Sequence, residues 1–438
     1  MTGEGAGQQT NDALFERAQR VIPGGVNSPV RAFRSVGGTP YFVARGEGAR
    51  VWDVEGNEYL DLVQSYGAII AGHAHPKVVE AIRAAAGDGT SYGAPTEREV
   101  LLAEEISRRV PSCEKVRMVS SGTEATMTAL RLARGATGRS RVVKFAGNYH
   151  GHGDALLAES GSAVAHLDPA HSPGGVPGSA GVPTAAVTDT VIAPYNDVPE
   201  LDESIACVIV EPVAANMGLV APVEGFLDGL RAECDRVGAL LIFDEVITGF
   251  RLGWGGAQEA YAIAPDLTCF GKVIGGGLNV GAFGGRADLM DHLAPLGPVY
   301  QAGTLSGNPL ATAAGLAALD LLDVDAYAQI AASAQRLASG LRAALDGAGI
   351  PNVVSTAGPL VGLHLGGAVP RTYADARTTD EAAYASLFHA LLGRGVALAP
   401  GAYEVMFPGL AHDDAVIDRI VELAGDAALE VAAGSGGA

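Results

Sequence analysis

The sequence is poor in cysteine, in aromatic side chains and in positive charge. Its 438 residues include four cysteines, Cys113, Cys207, Cys234 and Cys269, none of them in CxxC spacing. Scattered cysteines in apolar segments are typical of reduced residues in a cytosolic protein, and they predict neither disulfides nor a zinc site. Lysine and arginine together number 29 against 49 aspartates and glutamates, which gives a formal net charge of -20. A nucleic-acid partner, which requires a basic surface, is therefore not expected.

The chain also lacks a long apolar run and an N-terminal targeting pattern. Its first twenty residues, MTGEGAGQQTNDALFERAQR, contain neither the basic start nor the apolar stretch of a signal peptide. No uninterrupted apolar run reaches the length needed to cross a bilayer. We therefore expect a soluble, cytoplasmic protein without a membrane partner.

The order of predicted elements indicates an α/β fold. Strands alternate with helices through the middle of the chain, which favours a mostly parallel, doubly wound sheet. The predicted strands of this sheet are 115–120, 141–145, 190–193, 206–210 and 239–243. Three regions are predicted: an N-terminal segment with a small meander (1–63), a large domain (64–322) and a C-terminal small α/β domain (323–438). The smaller α/β domain is expected to be built from the two chain termini.

Residues 266–277, DLTCFGKVIGGG, combine an apolar run with one lysine and a cluster of glycines. An ammonium among apolar neighbours loses hydration, so the pKa of Lys272 should fall and its free amine should serve as nucleophile or base. The glycines, which lack Cβ atoms, let a flat ligand come close. A phosphate loop is excluded because Val273 follows the lysine where serine or threonine is required. A lysine that reaches solvent from a strand end fits this stretch alone equally well.

A second junction joins the strand 115–120 to a helix that begins near Ser121, Gly122 and Thr123. The free N–H groups and the positive dipole end of a helix N-terminus commonly hold phosphate. Plain helix capping by Ser121 or Thr123 is the alternative. The junction therefore indicates a phosphate site only in combination with other features.

Three further side chains follow predicted strands, at the edge where open α/β sheets bind ligands. Tyr149 follows the strand 141–145, and its ring is suited to stacking on a flat cofactor. Glu211 and Asp244 end two later strands, and a buried acid costs free energy unless it has a partner. A protonated ring nitrogen facing Asp244 would be such a partner.

Arg31 ends a loop rich in glycine and proline, residues 22–31. A guanidinium held on a shaped loop is suited to bidentate recognition of a small carboxylate substrate. A surface ion pair is the alternative for this arginine. The loop therefore suggests a substrate contact without requiring one.

His73 and His75 form an HxH pair, and His150 and His152 form another. A metal-dependent hydrolase would use such histidines as zinc ligands. No accompanying acid or histidine motif completes a metal site, so helix caps and loop contacts are the favoured role of the first pair. We expect no metal.

Together these motifs are what pyridoxal 5′-phosphate (PLP) requires. Along nearly its whole length the chain resembles the glutamate-1-semialdehyde 2,1-aminomutase family, fold-type-I members of the class III PLP-dependent aminotransferases. The resemblance rests on eight blocks in the family's order: GGVNSPVRAF, GHAHP, SSGTEA, YHGH, EPVAANMG, FDEVITGFR, FGKVIGGG and AGTLSGNP. Two positions depart from the family pattern: Asn279 stands where proline is expected, and Tyr66 where many members carry tryptophan.

The resemblance implies a role for each site residue. Lys272 would bond covalently to the cofactor and act as catalytic acid and base. The other expected cofactor contacts are Ser121, Gly122 and Thr123 at the phosphate, Tyr149 and Val246 on the two ring faces, Asn216 at the phenolic oxygen, Asp244 at the ring nitrogen, and Thr304, which would complete the partner's site in a homodimer. The expected substrate contacts are Arg31 at the carboxylate, with Ser28, Tyr66 and Glu404 nearby.

The resemblance also implies the reaction, which is the conversion of glutamate 1-semialdehyde to 5-aminolevulinate for tetrapyrrole (porphyrin) biosynthesis. The cycle would start from the pyridoxamine 5′-phosphate (PMP) form, and residues 153–188 would form a gating loop that retains the diamino intermediate. The nearest alternative is a PLP-dependent aminotransferase with a separate amino donor and acceptor. A metal-dependent hydrolase and a non-catalytic cofactor-binding protein are two further alternatives.

Overall fold

The computed structural model describes residues 10–158 and 176–435 of the chain. Its helices are α1 (Asn11–Gln19), α2 (Pro76–Asp88), α3 (Glu97–Arg109), α4 (Gly122–Thr137), α5 (Thr184–Val187), α6 (Phe226–Val237), α7 (Gly256–Tyr261), α8 (Ala287–Met290), α9 (Pro309–Leu319), α10 (Val324–Gly347), α11 (Tyr373–Ala376), α12 (Glu381–Leu392) and α13 (Asp414–Ser435). Its strands are β1 (Val43–Glu47), β2 (Arg50–Asp53), β3 (Glu58–Asp61), β4 (Lys115–Val119), β5 (Arg141–Phe145), β6 (Thr190–Ala193), β7 (Ile205–Val210), β8 (Leu240–Asp244), β9 (Leu267–Phe270), β10 (Gly281–Gly285), β11 (Val353–Ala357), β12 (Leu360–His364), β13 (Val396–Ala397) and β14 (Val405–Met406).

The large sheet contains seven of the described strands in the order β4-β10-β9-β8-β7-β5-β6. Neighbours from β9 through β6 run parallel, and β10 runs antiparallel to both β9 and β4. Strands β7 and β8 read IACVIV and LLIFD and are buried throughout. Such continuous apolar strands are typical of a parallel sheet that is covered on both faces. The predicted α/β fold with a mostly parallel sheet is therefore confirmed.

The strand register brings the ends of β7, β8 and β9 together. Val210, the last residue of β7, pairs with Phe243, and Asp244, the last residue of β8, pairs with Cys269. Lys272 follows Cys269 by three residues, and Glu211 follows Val210 directly. The candidate lysine and the two acids thus share the carboxyl edge of the sheet, where open α/β folds bind ligands.

Strand β10 was not predicted from the sequence, because three of its five residues, GAFGG, are glycines. A Cβ atom on Gly281 would lie 2.3 Å from the carbonyl oxygen of Ser121, and one on Gly285 would lie 2.3 Å from that of Asp266. Glycine is therefore required where β10 passes close to neighbouring backbone, although glycine is ordinarily depleted in strands. One of these close contacts is made directly to the predicted phosphate junction.

The two ends of the chain pack into one smaller unit. The predicted meander is present as β1, β2 and β3, and β13 pairs in parallel with β3 through Val396 and Leu60. Phe33, Leu60 and Leu62 share an apolar core with buried residues of α10, α12 and α13. The predicted smaller α/β unit built from both termini is therefore confirmed, while the boundaries at residues 63 and 322 stay a prediction. No helix within 10–158 or 176–435 is both long and apolar enough to span a bilayer.

Candidate active site

A cavity of about 240 Å³ lies at the carboxyl edge of the large sheet. Its walls come from the start of α4, from the segments after β5, β7 and β8, and from the turn after β9. The lining includes Ser121, Gly122, Thr123, Tyr149, Asn216, Asp244, Val246 and Lys272. Eight of the predicted site residues, drawn from five separate segments of sequence, thus meet in one place.

Lys272 lies in this cavity on a strained backbone. Its φ is +48°, in the left-handed region that a lysine rarely adopts, and it begins a short 3₁₀ turn, Lys272–Gly275. Strain of this kind is concentrated at functional sites. Burial lowers the pKa of the Lys272 ammonium, and the negative charges of Asp244, Glu211 and Glu404 act in the opposite direction. The lysine is therefore suited to exchange a proton.

Asp244 ends β8 as a buried carboxylate with two hydrogen-bond donors. Nδ1 of His150 lies 2.7 Å from its Oδ2, and the backbone N–H of Val246 donates to its Oδ1 at 3.1 Å. Burial lowers the pKa of His150, and its hydrogen bond to Asp244 acts in the opposite direction. Asp244 itself is only 5% exposed. The cavity wall thus presents a negative charge suited to a cationic ring nitrogen.

Glu211 connects two other walls of the cavity. Its Oε1 accepts a hydrogen bond from the backbone N–H of Tyr149 at 2.6 Å. Its Oε2 accepts from the backbone N–H of Ala215 at 2.9 Å and from Nδ2 of Asn216 at 3.0 Å. Burial, followed by the charge of Asp244, raises the pKa of Glu211 to about 7. The acid that ends β7 is therefore part of the site framework.

The start of α4 lines the same cavity. Ser121 is the N-cap residue, and its Oγ accepts a hydrogen bond from the backbone N–H of Glu124 at 3.2 Å. The N–H groups of Gly122 and Thr123 have no intrahelical partner because they belong to the first turn. Capping and phosphate binding, which the sequence presented as alternatives, are compatible here: the side chain caps the helix and the remaining N–H groups stay free for an anion.

The predicted substrate residues lie outside the cavity lining but within electrostatic range of it. Arg31 is exposed on a 3₁₀ turn, Pro29–Ala32, and its backbone N–H donates to the carbonyl of Ser28 at 3.1 Å. Burial and the charge of Glu404 raise the pKa of Tyr66, while the charge of Arg31 acts in the opposite direction. Glu404 also lies within electrostatic range of the cavity, since its negative charge acts to raise the pKa of Lys272. The structure thus brings Arg31, Tyr66 and Glu404 into one neighbourhood.

Tyr66 is carried by an unusual turn. Gln64, Ser65 and Tyr66 have φ values of +44°, +53° and +54°. Asp61 supports this turn by accepting hydrogen bonds from the backbone N–H groups of Val63 and Gln64. Three consecutive left-handed residues without glycine cost on the order of 1 to 2 kcal/mol each, so the surrounding structure must hold them in place.

Arg251 links the far end of this turn to the smaller unit. Its guanidinium is completely buried and donates to the carbonyl oxygens of Gly67 at 3.0 Å and Pro408 at 3.2 Å. Burial lowers the pKa of Arg251 to about 10. The position of Tyr66 thus depends on contacts from both units.

Three remaining predictions concern segments away from the cavity walls. Thr304 is exposed and is absent from the lining of the cavity in its own chain. Asn279 is also exposed, in the connection between the Lys272 turn and β10. The central part of the predicted gating loop, residues 159–175, lies outside the described residues. At the base of that loop, Nζ of Lys144 donates to the carbonyl oxygens of Leu156 and Ala158 at 3.1 and 3.0 Å.

The histidines do not assemble a metal centre within the described residues. His73 Nε2 lies 2.6 Å from Oδ2 of Asp61, whereas His150 pairs with Asp244 in the cavity. No group of three or more histidine, cysteine, aspartate or glutamate side chains in the described ranges is arranged to hold a metal ion. The hydrolase alternative therefore has no support from the geometry.

Sequence reasoning missed two pairings in the site. The sequence indicates that Glu211 and Asp244 are buried acids in need of partners, but it shows neither the partners of Glu211 nor the contact of His150 with Asp244. The sequence does contain the residues involved. His150 follows Tyr149 after β5, and Asn216 stands five residues after Glu211, beyond the neighbouring strand β7. Local spacing alone does not show which strands are neighbours.

Comparison with known proteins gives the family. A family model described as aminotransferase class-III matches residues 33–427. The chain belongs to the class-III aminotransferase family. It is 54% identical over 420 residues to a curated relative named glutamate-1-semialdehyde 2,1-aminomutase from Bordetella avium (strain 197N), a match that covers 94% of this chain and 97% of the relative.

Two solved structures are similar to this chain over almost its whole length. An omega-transaminase from Sphaerobacter thermophilus superimposes with a TM-score of 0.88 at 35% identity, covering 98% of each chain. A glutamate-1-semialdehyde-aminomutase variant from Pseudomonas aeruginosa PAO1, in complex with PMP, gives a TM-score of 0.84 at 29% identity and covers 95% of this chain and 93% of that one. The cofactor of this class-III aminotransferase is PLP.

The residues of the cavity fit this cofactor. A helix N-terminus suits the phosphate, and the buried carboxylate of Asp244 suits a protonated ring nitrogen. Lys272, an amine whose pKa is lowered by burial, lines the same cavity. The remaining lining residues, Tyr149, Asn216 and Val246, offer an aromatic ring, an amide and an aliphatic side chain for the cofactor's faces and edge.

Proposed function

We propose that this chain is a glutamate-1-semialdehyde 2,1-aminomutase, which moves an amino group within one molecule to form 5-aminolevulinate. The observation that carries the proposal is the meeting of Lys272, Asp244 and the start of α4 in one cavity, in a chain 54% identical to a relative of that name. The product class implies a role in tetrapyrrole biosynthesis. A cytoplasmic location belongs to the same proposal.

When bound, PLP supplies the group that accepts and returns nitrogen and a ring that withdraws electrons from the bonds broken at the substrate carbon. Lys272, whose pKa is lowered by burial, would move a proton through Nζ between the cofactor carbon C4′ and the substrate carbon. Asp244 would place its carboxylate at the ring nitrogen, and His150 holds that carboxylate through Nδ1. Ser121, Gly122 and Thr123 would hold the phosphate.

The substrate side of the site is assigned to the residues around Tyr66. Arg31 is exposed and cationic, so it binds the carboxylate of the substrate, with Ser28, Tyr66 and Glu404 beside it. Tyr149 and Val246 would cover the two faces of the cofactor ring, and Asn216 would contact its phenolic oxygen.

The second candidate is an aminotransferase with a separate amino donor and acceptor. It is favoured by the similarity to the omega-transaminase structure, whose TM-score of 0.88 is higher than the 0.84 of the aminomutase structure. The same cavity would serve either reaction, because both exchange nitrogen between the cofactor and a substrate. The higher identity to the curated aminomutase, 54% against 35%, supports the mutase.

Genetic complementation tests the function in a cell. A bacterial strain that cannot form 5-aminolevulinate should grow without that compound when it expresses this chain. The Lys272→Ala variant, expressed to the same level, should not support growth. Failure of the folded wild-type chain to restore growth would contradict the proposed reaction.

The proposal includes a homodimer in which Thr304 completes the partner's site. Its support is a set of exposed apolar side chains on α3 and α4 and on the segment that carries Thr304, namely Val100, Leu101, Met127, Tyr300 and Leu305. A groove of about 670 Å³ is bounded by α3, β4 and residues 301–306, and Val100 lines it. Exposed apolar patches of this kind mark association surfaces. Thr304 lies on the same segment, away from the cavity of its own chain.

Thr304→Ala should weaken PLP binding by about 10- to 100-fold, since a hydrogen bond to a charged group contributes roughly 1.5 to 3 kcal/mol. Mixing this variant with Lys272→Ala at limiting PLP should raise activity above the sum of the two proteins. In a mixed dimer, the Thr304→Ala chain keeps its own Lys272 and receives an intact Thr304 from the other chain. If subunit exchange is verified and the activity of the mixture still equals the sum of the two separate activities, Thr304 does not act across subunits.

A further inference from the structure

Glu211 occupies a position that the proposed chemistry does not use. It follows β7, is 3% exposed, and lines the same cavity as Lys272. Its carboxylate meets only hydrogen-bond donors within the described residues: the backbone N–H groups of Tyr149 and Ala215 and the side-chain amide of Asn216. A carboxylate buried this deeply is retained at a cost of several kcal/mol unless such partners compensate it.

The partners of Glu211 come from two different segments of the cavity wall. Tyr149 follows β5, and Asn216 lies beyond β7, so the two residues are not held together by local chain geometry. One oxygen of Glu211 bonds to each side, at 2.6 Å to the Tyr149 N–H and 3.0 Å to Asn216 Nδ2. Asn148 adds a third link, since its Oδ1 accepts from the backbone N–H of Glu211 at 2.9 Å. Glu211 is thus the common support of both segments.

We propose that Glu211 is a positioning residue that sets the orientation of the bound cofactor by fixing Tyr149 and Asn216 in one arrangement. The inference deepens the proposed function and rests on its cofactor site. Glu211 does not touch the reacting atoms; it acts through the ring of Tyr149 and the amide of Asn216. The carboxylate of Glu211 is suited to this role because both of its oxygens accept hydrogen bonds. A neutral amide has a single accepting oxygen and cannot replace both.

Glu211→Gln is the direct test, because it preserves shape and removes one acceptor. The glutamine should keep its oxygen toward Ala215 and Asn216, where two donors lie, and turn its NH₂ group toward the N–H of Tyr149. The backbone N–H of Tyr149 should therefore lose its hydrogen-bond acceptor. We expect the dissociation constant for PLP to rise by about 10- to 100-fold and the induced circular dichroism of the bound cofactor to change in shape.

Glu245→Gln is the matched control. Glu245 follows Asp244, is also buried, and accepts hydrogen bonds from Ala257 N–H and from the Gln258 side chain at 2.6 and 3.0 Å. Its carboxylate accepts a hydrogen bond from one side chain of the cavity lining, the hydroxyl of Thr248. This variant should lower the melting temperature of the apoprotein, while its PLP affinity and circular dichroism remain close to wild type.

Double variants show through which residue Glu211 acts. In a Tyr149→Ala background, the effect of Glu211→Gln on PLP affinity should largely disappear, because the positioned ring is absent. In an Asn216→Ala background, the effect should persist at nearly full size. Non-additivity of this kind is the accepted sign that two residues act as a unit.

Three results would overturn the inference alone, provided that the wild type binds PLP and forms 5-aminolevulinate. They are a Glu211→Gln variant with wild-type affinity and circular dichroism, a Glu245→Gln variant with equal spectral changes, or a full effect of Glu211→Gln in the Tyr149→Ala background. A wild-type protein that binds no PLP would instead overturn the proposed function, and this inference with it.

Discussion

Replacing Lys272 with alanine should reduce turnover by at least about 10³-fold, the largest single effect expected in this protein. Lys272 carries the amine that moves the proton, and the described part of the cavity lining contains no other lysine. Its lowered pKa and its left-handed backbone both indicate a position selected for chemistry. The measurement is the initial rate of 5-aminolevulinate formation with saturating PLP.

Three further measurements separate chemistry from folding in this experiment. Lys77→Ala removes an exposed lysine that lies 3.8 Å from Asp320, and it should leave the rate unchanged. A small primary amine added to Lys272→Ala should restore part of the rate if the lost group is an acid and base. Borohydride treatment should fix the cofactor to wild type at Lys272 and not to the variant. A folded Lys272→Ala protein with near wild-type turnover would remove this lysine from the mechanism.

Asp244→Asn should lower kcat by roughly 10²- to 10³-fold, the scale of losing one preorganised electrostatic group in an active site. The variant removes the negative charge at the cavity wall and presents an NH₂ group where Nδ1–H of His150 now donates. Asp244→Glu, which keeps the charge, should recover part of the loss. The absorbance of the bound cofactor as a function of pH should also change, since the ring nitrogen loses its anionic partner.

Asp266→Asn is the matched control for this prediction. Asp266 is buried just before β9, at the opposite end of that strand from Lys272, and it pairs with Arg231 and Arg286 at 2.8 and 2.7 Å. Its replacement should reduce stability and leave the kcat of the folded protein near wild type. Equal losses of kcat in the two variants would indicate that Asp244 acts through stability rather than through the cofactor.

Much of the fold was predictable from the sequence because long apolar strands carry a clear signal. The runs IACVIV and LLIFD formed β7 and β8 within one residue of the predicted bounds. By contrast, β10 was missed because its glycines are imposed by close contact with the carbonyls of Ser121 and Asp266. A tertiary requirement of this kind leaves no periodic pattern in the local sequence.

The site was predictable residue by residue, but the links between its residues were not. Lys272, Asp244 and the start of α4 each follow a strand, and a parallel sheet brings such ends to one edge. The bond between Glu211 and the N–H of Tyr149 depends on β5 and β7 being neighbours, a fact of strand order. The left-handed turn at residues 64–66 was equally hidden, because none of its residues is glycine.

The most direct test of the proposed function is the reaction of purified protein with glutamate 1-semialdehyde as the single substrate, with no added amino donor or acceptor. An aminomutase returns nitrogen to its cofactor in every cycle, so we predict sustained formation of many molecules of 5-aminolevulinate per active site. An aminotransferase would stop after at most one turnover per site and resume when an amine or a keto acid is supplied. That second result would contradict the proposed function, and it would direct attention to Tyr66 and Asn279.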